Sequence, residues 1–272
     1  MRGRSRDTGA AAGVDSARHD AELLAAHVAG VPRGRLLLAS WDAAAAGTYR
    51  ALVARRAARE PLQHLLGTAV LGRVEVVVGP GVFVPRPETE LLVEWGLAQV
   101  RDVASPLVVD LCTGSGAIAL AVEVARPDAR VHAVETDPGA LGWARRNVER
   151  LDADVDLHAV DVRAADLLPD LDSRVDLVLC NPPYVPDGTP VPPEVHRDPP
   201  EAVFGGPDGL AVVPAVVVAA ARLLRPGRAV GIEHDDSHGD AVPALLTAHG
   251  FVAVEAHRDL AGRPRFATAR RP

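Results

Sequence analysis

The run Asn181-Pro182-Pro183-Tyr184 closes an apolar stretch, Leu177 to Cys180, with residue types suited to gripping a planar nitrogen. An amide or exocyclic amino nitrogen is a poor nucleophile because its lone pair is delocalised into the neighbouring π system. Its NH2 group offers two donors, so two fixed acceptors can hold it in line for attack. Asn181 Oδ1 supplies one acceptor and the Pro182 carbonyl the other. Pro182 and Pro183 stiffen the turn and bring no competing N–H. The Tyr184 ring is expected to pack on the planar group and keep water away. Taken alone, Asn-Pro-Pro reads better as a strand-ending turn with Asn181 as its cap, so its meaning depends on what stands beside it.

A second constellation begins at Val108. The stretch to Val122 reads as strand, glycine turn and helix, and Gly114 and Gly116 let a ligand approach the backbone at a helix N-terminus. Asp110 closes the strand and can fix the loop or accept from a ligand ammonium; Thr113 stands between it and the glycines. Glu135, at the end of the next strand, can accept ribose hydroxyls. Asp161 with the Val162 N–H, at the end of the third, can read an adenine edge. Gly114 to Ala119 also fits the dinucleotide pattern G-x-G-x-x-A, so the glycines alone leave NAD and S-adenosylmethionine both open. The fourth strand decides, because a nicotinamide enzyme has no use for Asn181 to Tyr184. Methyl transfer from S-adenosylmethionine to a planar nitrogen, leaving S-adenosylhomocysteine, is the chemistry expected. The sulfonium carries the positive charge, so no strong base is required before transfer.

These residues need a scaffold, and the pattern of the 272-residue chain describes one. Strands are expected at 107–111, 130–135, 155–160, 175–180, 228–233, 251–257 and 265–269, with helices at about 117–125, 138–151, 211–224 and 239–249. Strand–helix alternation implies an α/β fold, a Rossmann-like doubly wound, mostly parallel seven-stranded sheet with strand four beside strand one. The last two strands lack a helix between them, which makes the final one an antiparallel insertion. Ahead of this domain (88–272), residues 1–14 read as a disordered tail and 15–67 as a small helical domain. Residues 68–87 read as a β-hairpin linker. Asp15 or Ser16 is the expected cap of the first helix, and the second is expected to run to Pro61.

Composition narrows the partners. The net charge of -7 weakens the case for a nucleic-acid substrate without excluding one, and the absence of lysine reads as coding bias. The arginines at 55, 56 and 59 and at 145, 146 and 150 read as solvated helix faces. Two cysteines make no disulfide framework and no metal set, and "HDDSH" (234–238) lacks a further ligand, so no metal is expected. The basic start lacks the apolar stretch of a signal peptide, and the run Leu210 to Leu224 is broken by Pro214 and Arg222. A cytoplasmic protein without membrane contact is expected.

Four segments carry a resemblance: "EPLQHLLG" (60–67), "VFVPRPETE" (82–90), "DLCTGSGAIALA" (110–121) and "NPPYVP" (181–186). Together they make the chain similar, over nearly its whole length, to the HemK family of peptide chain release factor N5-glutamine methyltransferases. "DPPEAVFGGPDGL" (198–210) and "HRDLAGRPR" (257–265) match more weakly. The resemblance implies a class I S-adenosylmethionine-dependent fold and methylation of the glutamine in the Gly-Gly-Gln motif of class 1 release factors. It also implies an N-terminal domain that helps dock that protein. It places the cofactor on Asp110, Thr113, Gly114, Gly116, Glu135, Asp161, Val162 and Asn181. Phe83, Arg86, Pro87 and Glu90 join Asn181, Pro182, Pro183 and Tyr184 as the substrate set, with Phe83 lining the glutamine pocket and Asn181, Pro182 and Tyr184 catalytic. "NPPY" alone is shared with adenine N6 and guanine N2 methyltransferases, and a ribosomal-protein glutamine is a further alternative; "PRPETE" is the specific part. Three departures stand out: Cys112 replaces the first glycine of the turn, Asp198 replaces a more usual Glu, and most of the family's first helix is expected to be missing.

Overall fold

Glycine and proline placement accounts for many of the element boundaries. A computed structural model describes residues 13–272, which divide into two units. The first comprises the chain up to Thr68 plus Val191–Arg197, the second Ala69–Pro190 plus Asp198–Pro272. The expected disordered tail and the shortened first helix fall largely on residues 1–12, outside the described residues.

In the first unit, α1 (Ala17–Ala29), a 3-10 turn (Arg33–Leu38), α2 (Ala43–Ala57) and α3 (Leu62–Leu66) enclose Leu24, Leu36, Tyr49, Leu52 and Leu65. Asp42 caps α2 by accepting from the Ala45 N–H at 2.7 Å. The expected cap of α1 is not made: the Ser16 hydroxyl bonds Asp20 instead of a backbone N–H. Helix α2 also stops short of Pro61, because Arg59 takes a left-handed backbone (φ 63°) and the N–H groups of Ala58, Arg59 and Glu60 close the helix end. Pro61 then opens α3, and Gly67 (φ 76°) closes it. The solvated reading of the first arginine cluster fails at Arg56. Its guanidinium bonds Asp20 at 2.7 Å and Glu194 at 2.6 Å and is only 12% exposed, while Arg59 takes the other Glu194 oxygen at 2.6 Å.

From Thr68 the chain forms a hairpin, β1 (Thr68–Leu71) and β2 (Val74–Val77), turning at Gly72, and all of it but Thr68 belongs to the second unit. Helix α4 (Thr89–Gln99) follows. A seven-stranded sheet then forms from β3 (Leu107–Leu111), β4 (Arg130–Glu135), β5 (Val155–Ala159), β6 (Val175–Cys180), β7 (Leu224–Glu233), β8 (Val252–Arg258) and β9 (Pro264–Arg270). Their order is β5-β4-β3-β6-β7-β9-β8. Strands β3 to β7 are parallel, and β9 is inserted antiparallel between β7 and β8, as its missing crossover helix implied. The period-two pattern divides the core. Val108, Leu177 and Leu179 face α4, α5 (Ala117–Ala125) and α6 (Pro138–Leu151). Val109, Val178 and Cys180 face α8 (Val213–Leu223), which follows the short α7 (Pro200–Val203), and α9 (Ala241–Ala248).

Strand β7 starts four residues earlier than expected, since Leu224 pairs with Val175 across a bulge. Helix α8 starts later, at Val213, with Pro214 in its first turn. Strand β6 does lie beside β3, with Leu111 opposite Cys180. Asn181 therefore emerges next to Cys112 and the glycine turn. Among the described residues no helix is long and apolar enough to cross a membrane, and no group of His, Cys, Asp and Glu is arranged to hold a metal ion.

Candidate active site

A cleft opens at the carboxyl ends of β3, β4, β5 and β6, where an open α/β sheet places its ligands. Its β3 wall is the turn Cys112 to Ser115. Cys112, Gly114 and Gly116 all have positive φ (61°, 57° and 83°). A glycine would adopt this backbone without strain at position 112, and the cysteine holds it nonetheless. Nothing lies within 4 Å of where a Gly114 Cβ would stand, so that backbone is open to a ligand. Gly116 does not line the cleft; it caps α5, whose first residues Ala117 and Ile118 do.

Glu135 holds the turn from the end of β4. Its Oε2 accepts from the Gly114 N–H at 2.8 Å, and its Oε1 from the Thr136 and Asp137 N–H groups at 2.8 and 2.9 Å. A carboxylate has about four lone-pair sites. One is therefore left for a ribose hydroxyl in this arrangement, where two were expected. Asp110 lies wholly beneath the turn and does not reach the cleft surface. Its Oδ2 accepts from the Thr113 hydroxyl and the Ala119 N–H, while the buried Oδ1 has no partner among the described residues. Burial, only partly offset by those two bonds, pushes its carboxyl up to about 7. Asp161 and Val162 both line the cleft. Arg163, which the sequence reading passed over, lines it too and pairs with Asp161 at 2.7 Å, holding that carboxyl below its usual range.

At the other end stand Asn181, Pro183 and Phe83. Asn181 Nδ2 lies 3.2 Å from the Thr89 hydroxyl, and Asn181 Oδ1 accepts from no described residue. Thr89 in turn donates to Glu233 Oε2 at 2.8 Å, and the Tyr184 hydroxyl donates to Glu233 Oε1 at 2.9 Å. Tyr184 thus anchors its ring through the hydroxyl and does not line the cleft, unlike the packing expected for it. The Pro182 ring is buried, and no described N–H donates to its carbonyl.

The turn is backed by main chain. Val185 and Asp187 donate to the Val203 and Gly206 carbonyls, and Gly205 donates back to Val185. A Cβ on Gly205 would lie 2.6 Å from the Pro183 carbonyl oxygen, and one on Gly209 would lie 2.4 Å from that of Tyr184. Only glycine fits either place.

The "PRPETE" segment is split by the fold. Arg86 lies over the Phe83 ring, 4.8 Å from its centre, and pairs with buried Asp198, which also accepts from the Val84 N–H. Thr89 turns inward to Asn181. Pro87 and Glu90 are exposed and border a separate concavity with Glu94 and Arg263. Of the substrate set, Phe83, Asn181 and Pro183 line the cleft, whereas Arg86, Pro87, Glu90, Pro182 and Tyr184 do not. Thr89 and Glu233 were missed. The one available hint was an acidic residue ending the apolar strand "AVGIE" (229–233).

A family described as the PrmC N-terminal domain matches residues 6–67, and one described as the methyltransferase small domain matches 74–194. The release factor glutamine methyltransferase of Mycolicibacterium smegmatis is 53% identical over 267 residues, covering 96% of this chain and 93% of that protein. The chain belongs to the release factor glutamine methyltransferase family. Relatives of the same name from Streptomyces coelicolor (51%) and Corynebacterium glutamicum (49%) also align over 96% of the chain, covering 93% and 94% of their own lengths. Solved structures agree on the class I methyltransferase fold. The hMettl16 catalytic domain gives a TM-score of 0.56 at 17% identity, covering 72% of this chain and 75% of that one. The Thermus thermophilus 16S rRNA N2 G1207 methyltransferase gives 0.55 at 23% identity, covering 75% of this chain and 50% of that one.

Proposed function

We propose that this chain methylates the side-chain amide nitrogen, N5, of the glutamine in the Gly-Gly-Gln motif of class 1 peptide chain release factors, in the cytoplasm. The observation that carries this reading is Asn181: a carboxamide at the end of β6, beside the glycine turn, with its nitrogen committed to Thr89 and its oxygen free. The methyl donor is S-adenosylmethionine, which when bound supplies an electrophilic methyl on a sulfonium. The donor set suits it. The open backbone at Gly114 accommodates the amino-acid part, Glu135 accepts from the ribose, and Asp161 with Val134 and Val162 receives the adenine.

On this reading Asn181 Oδ1 and the Pro182 carbonyl accept the two N–H bonds of the substrate carboxamide and fix its nitrogen in line for transfer. Phe83 offers an apolar wall to the glutamine side chain, and the Arg86–Asp198 pair keeps Phe83 in place. The amide nitrogen gains its proton-losing character only as the new C–N bond forms, so the proton leaves afterwards to water. The shared family supports the protein substrate, and the first unit, matched by the family's N-terminal domain, is the part we assign to docking it.

Mixing the enzyme, S-adenosylmethionine and a purified class 1 release factor, then sequencing tryptic peptides by mass spectrometry, tests the proposal. The expected result is one added methyl on the Gly-Gly-Gln glutamine. Unmodified peptide from a preparation that binds the cofactor, or methyl groups appearing in RNA or DNA instead, overturns it.

A further inference from the structure

Thr89 and Glu233 form a buried pair behind the candidate site, only 3% and 1% exposed. Thr89 Oγ1 sits between Asn181 Nδ2 (3.2 Å) and Glu233 Oε2 (2.8 Å). We infer that Thr89 and Glu233 are positioning residues whose hydrogen-bond relay makes Asn181 present its oxygen, and not its nitrogen, to the substrate amide. The inference rests on the reading that Asn181 holds the glutamine carboxamide.

The two ends of an asparagine side chain are nearly the same size, so packing alone does not choose between them. The choice matters here, because the substrate nitrogen carries two donors. A reversed Asn181 would set a third and fourth N–H against them. Chemistry behind the site removes the ambiguity. An ionised carboxylate only accepts, so the single hydroxyl proton of Thr89 goes to Glu233. The Thr89 oxygen can then only accept, and of the two ends of Asn181 only Nδ2 can donate to it. The charge on Glu233 is thereby read out two bonds away as the orientation of a carboxamide. The same charge polarises the chain of bonds and strengthens Oδ1 as an acceptor.

Glu233 anchors the turn twice. Its second oxygen takes the Tyr184 hydroxyl at 2.9 Å, so one carboxylate holds both the first and last residues of Asn181-Pro-Pro-Tyr184. Burial, with the nearby Glu88 carboxylate, raises the Glu233 carboxyl above its usual range, and the Thr89 and Tyr184 bonds and the nearby Arg265 cation offset only part of that rise. These three groups favour the ionised form that the relay requires.

The test is a set of substitutions read by separated kcat, KM and cofactor affinity. Thr89→Val keeps the shape and deletes both bonds. It is expected to lower kcat about 10- to 100-fold with cofactor affinity and KM for the release factor within about threefold. Thr89→Ser restores the hydroxyl and is expected to recover kcat to within about threefold of wild type. Glu233→Gln inserts an NH2 where only acceptors stood, and is expected to lower kcat to a similar degree. If Thr89→Val does not fold, Thr89→Ser and Glu233→Gln carry the test between them. In the double variant the loss should not exceed the larger single loss by more than about threefold, because one relay is broken once. Wild-type kcat in Thr89→Val or in Glu233→Gln overturns the inference, as does a Thr89→Ser enzyme no better than Thr89→Val. Asn181→Ala measured alongside separates the two layers. If it is inactive while the Thr89 and Glu233 variants are normal, only the relay is wrong; if it is fully active, the proposed role of Asn181 falls as well.

Discussion

The donor end and the acceptor end of the cleft are assembled by different means. At the donor end the contacts are local: Asp110 holds Thr113 three residues on, and Glu135 holds Gly114 from 21 residues away. Most of these bonds go to backbone N–H groups, so the turn is a property of the chain path. At the acceptor end the contacts are side chain to side chain and distant. Thr89 meets Asn181 across 92 residues and Glu233 across 144. The first kind of site tolerates changes that keep the backbone conformation; the second depends on single atoms brought together by the whole sheet. Cofactor binding and methyl transfer should therefore fail separately.

The largest effect should come from the acceptor end. Asn181→Ala is expected to lower kcat by about 10²- to 10³-fold, the usual cost of deleting one aimed polar group. Cofactor affinity by calorimetry should stay within about threefold. If affinity falls instead, the two ends are not independent.

Asp110→Asn probes the base of the donor end through stability. Because burial raises the Asp110 carboxyl from 3.8 to about 7, wild type holds that residue's full contribution below pH 3.8. It loses the contribution as pH rises to about 7. Asparagine does not titrate, and its Oδ1 can keep the bonds from the Thr113 hydroxyl and the Ala119 N–H. In ligand-free protein the variant's advantage should grow from pH 4 to 7 and level off near a few kcal/mol, at most roughly 4 kcal/mol. A difference in urea midpoint that is flat between pH 4 and 8 would sink this account.

Glu135→Ala mirrors the Asn181 variant. Weaker cofactor binding, by about 10- to 100-fold, is expected with kcat at saturation nearly unchanged. A loss confined to kcat would erase the distinction between the ends. Smallest of all, Cys112→Gly relieves a left-handed cysteine and should stabilise by about 0.5–1 kcal/mol, measured by urea unfolding. Destabilisation there would show that the Cys112 side chain packs better than its backbone suggests.

The same contrast explains what could be read from the sequence. Strands at 107–111, 130–135 and 175–180 and helices at 117–125 and 138–151 appear at the expected residues, because apolar periodicity and nearby glycines or prolines define them locally. Glu135, Asp161 and Gly114 could be placed at the cleft for the same reason, each lying at or just past the end of a recognisable strand. Thr89 and Glu233 were not: Thr89 lies inside "PRPETE" and Glu233 ends an apolar strand, but neither local pattern says that the two meet Asn181. Arg56 was misread for a like reason: its partner Asp20 is 36 positions away and Glu194 is 138 away. Arg59 ended a helix early through a left-handed backbone that no residue type there advertises.

The two glycine contacts behind the Asn181 to Tyr184 turn carry a practical consequence. Because Gly205 and Gly209 meet the Pro183 and Tyr184 carbonyls backbone to backbone, that wall cannot be carved deeper by trimming side chains; there are none to trim. An engineer wishing to admit a bulkier nucleophile would have to work from the opposite wall, where Phe83 can be exchanged for a smaller residue without touching the scaffold of the turn.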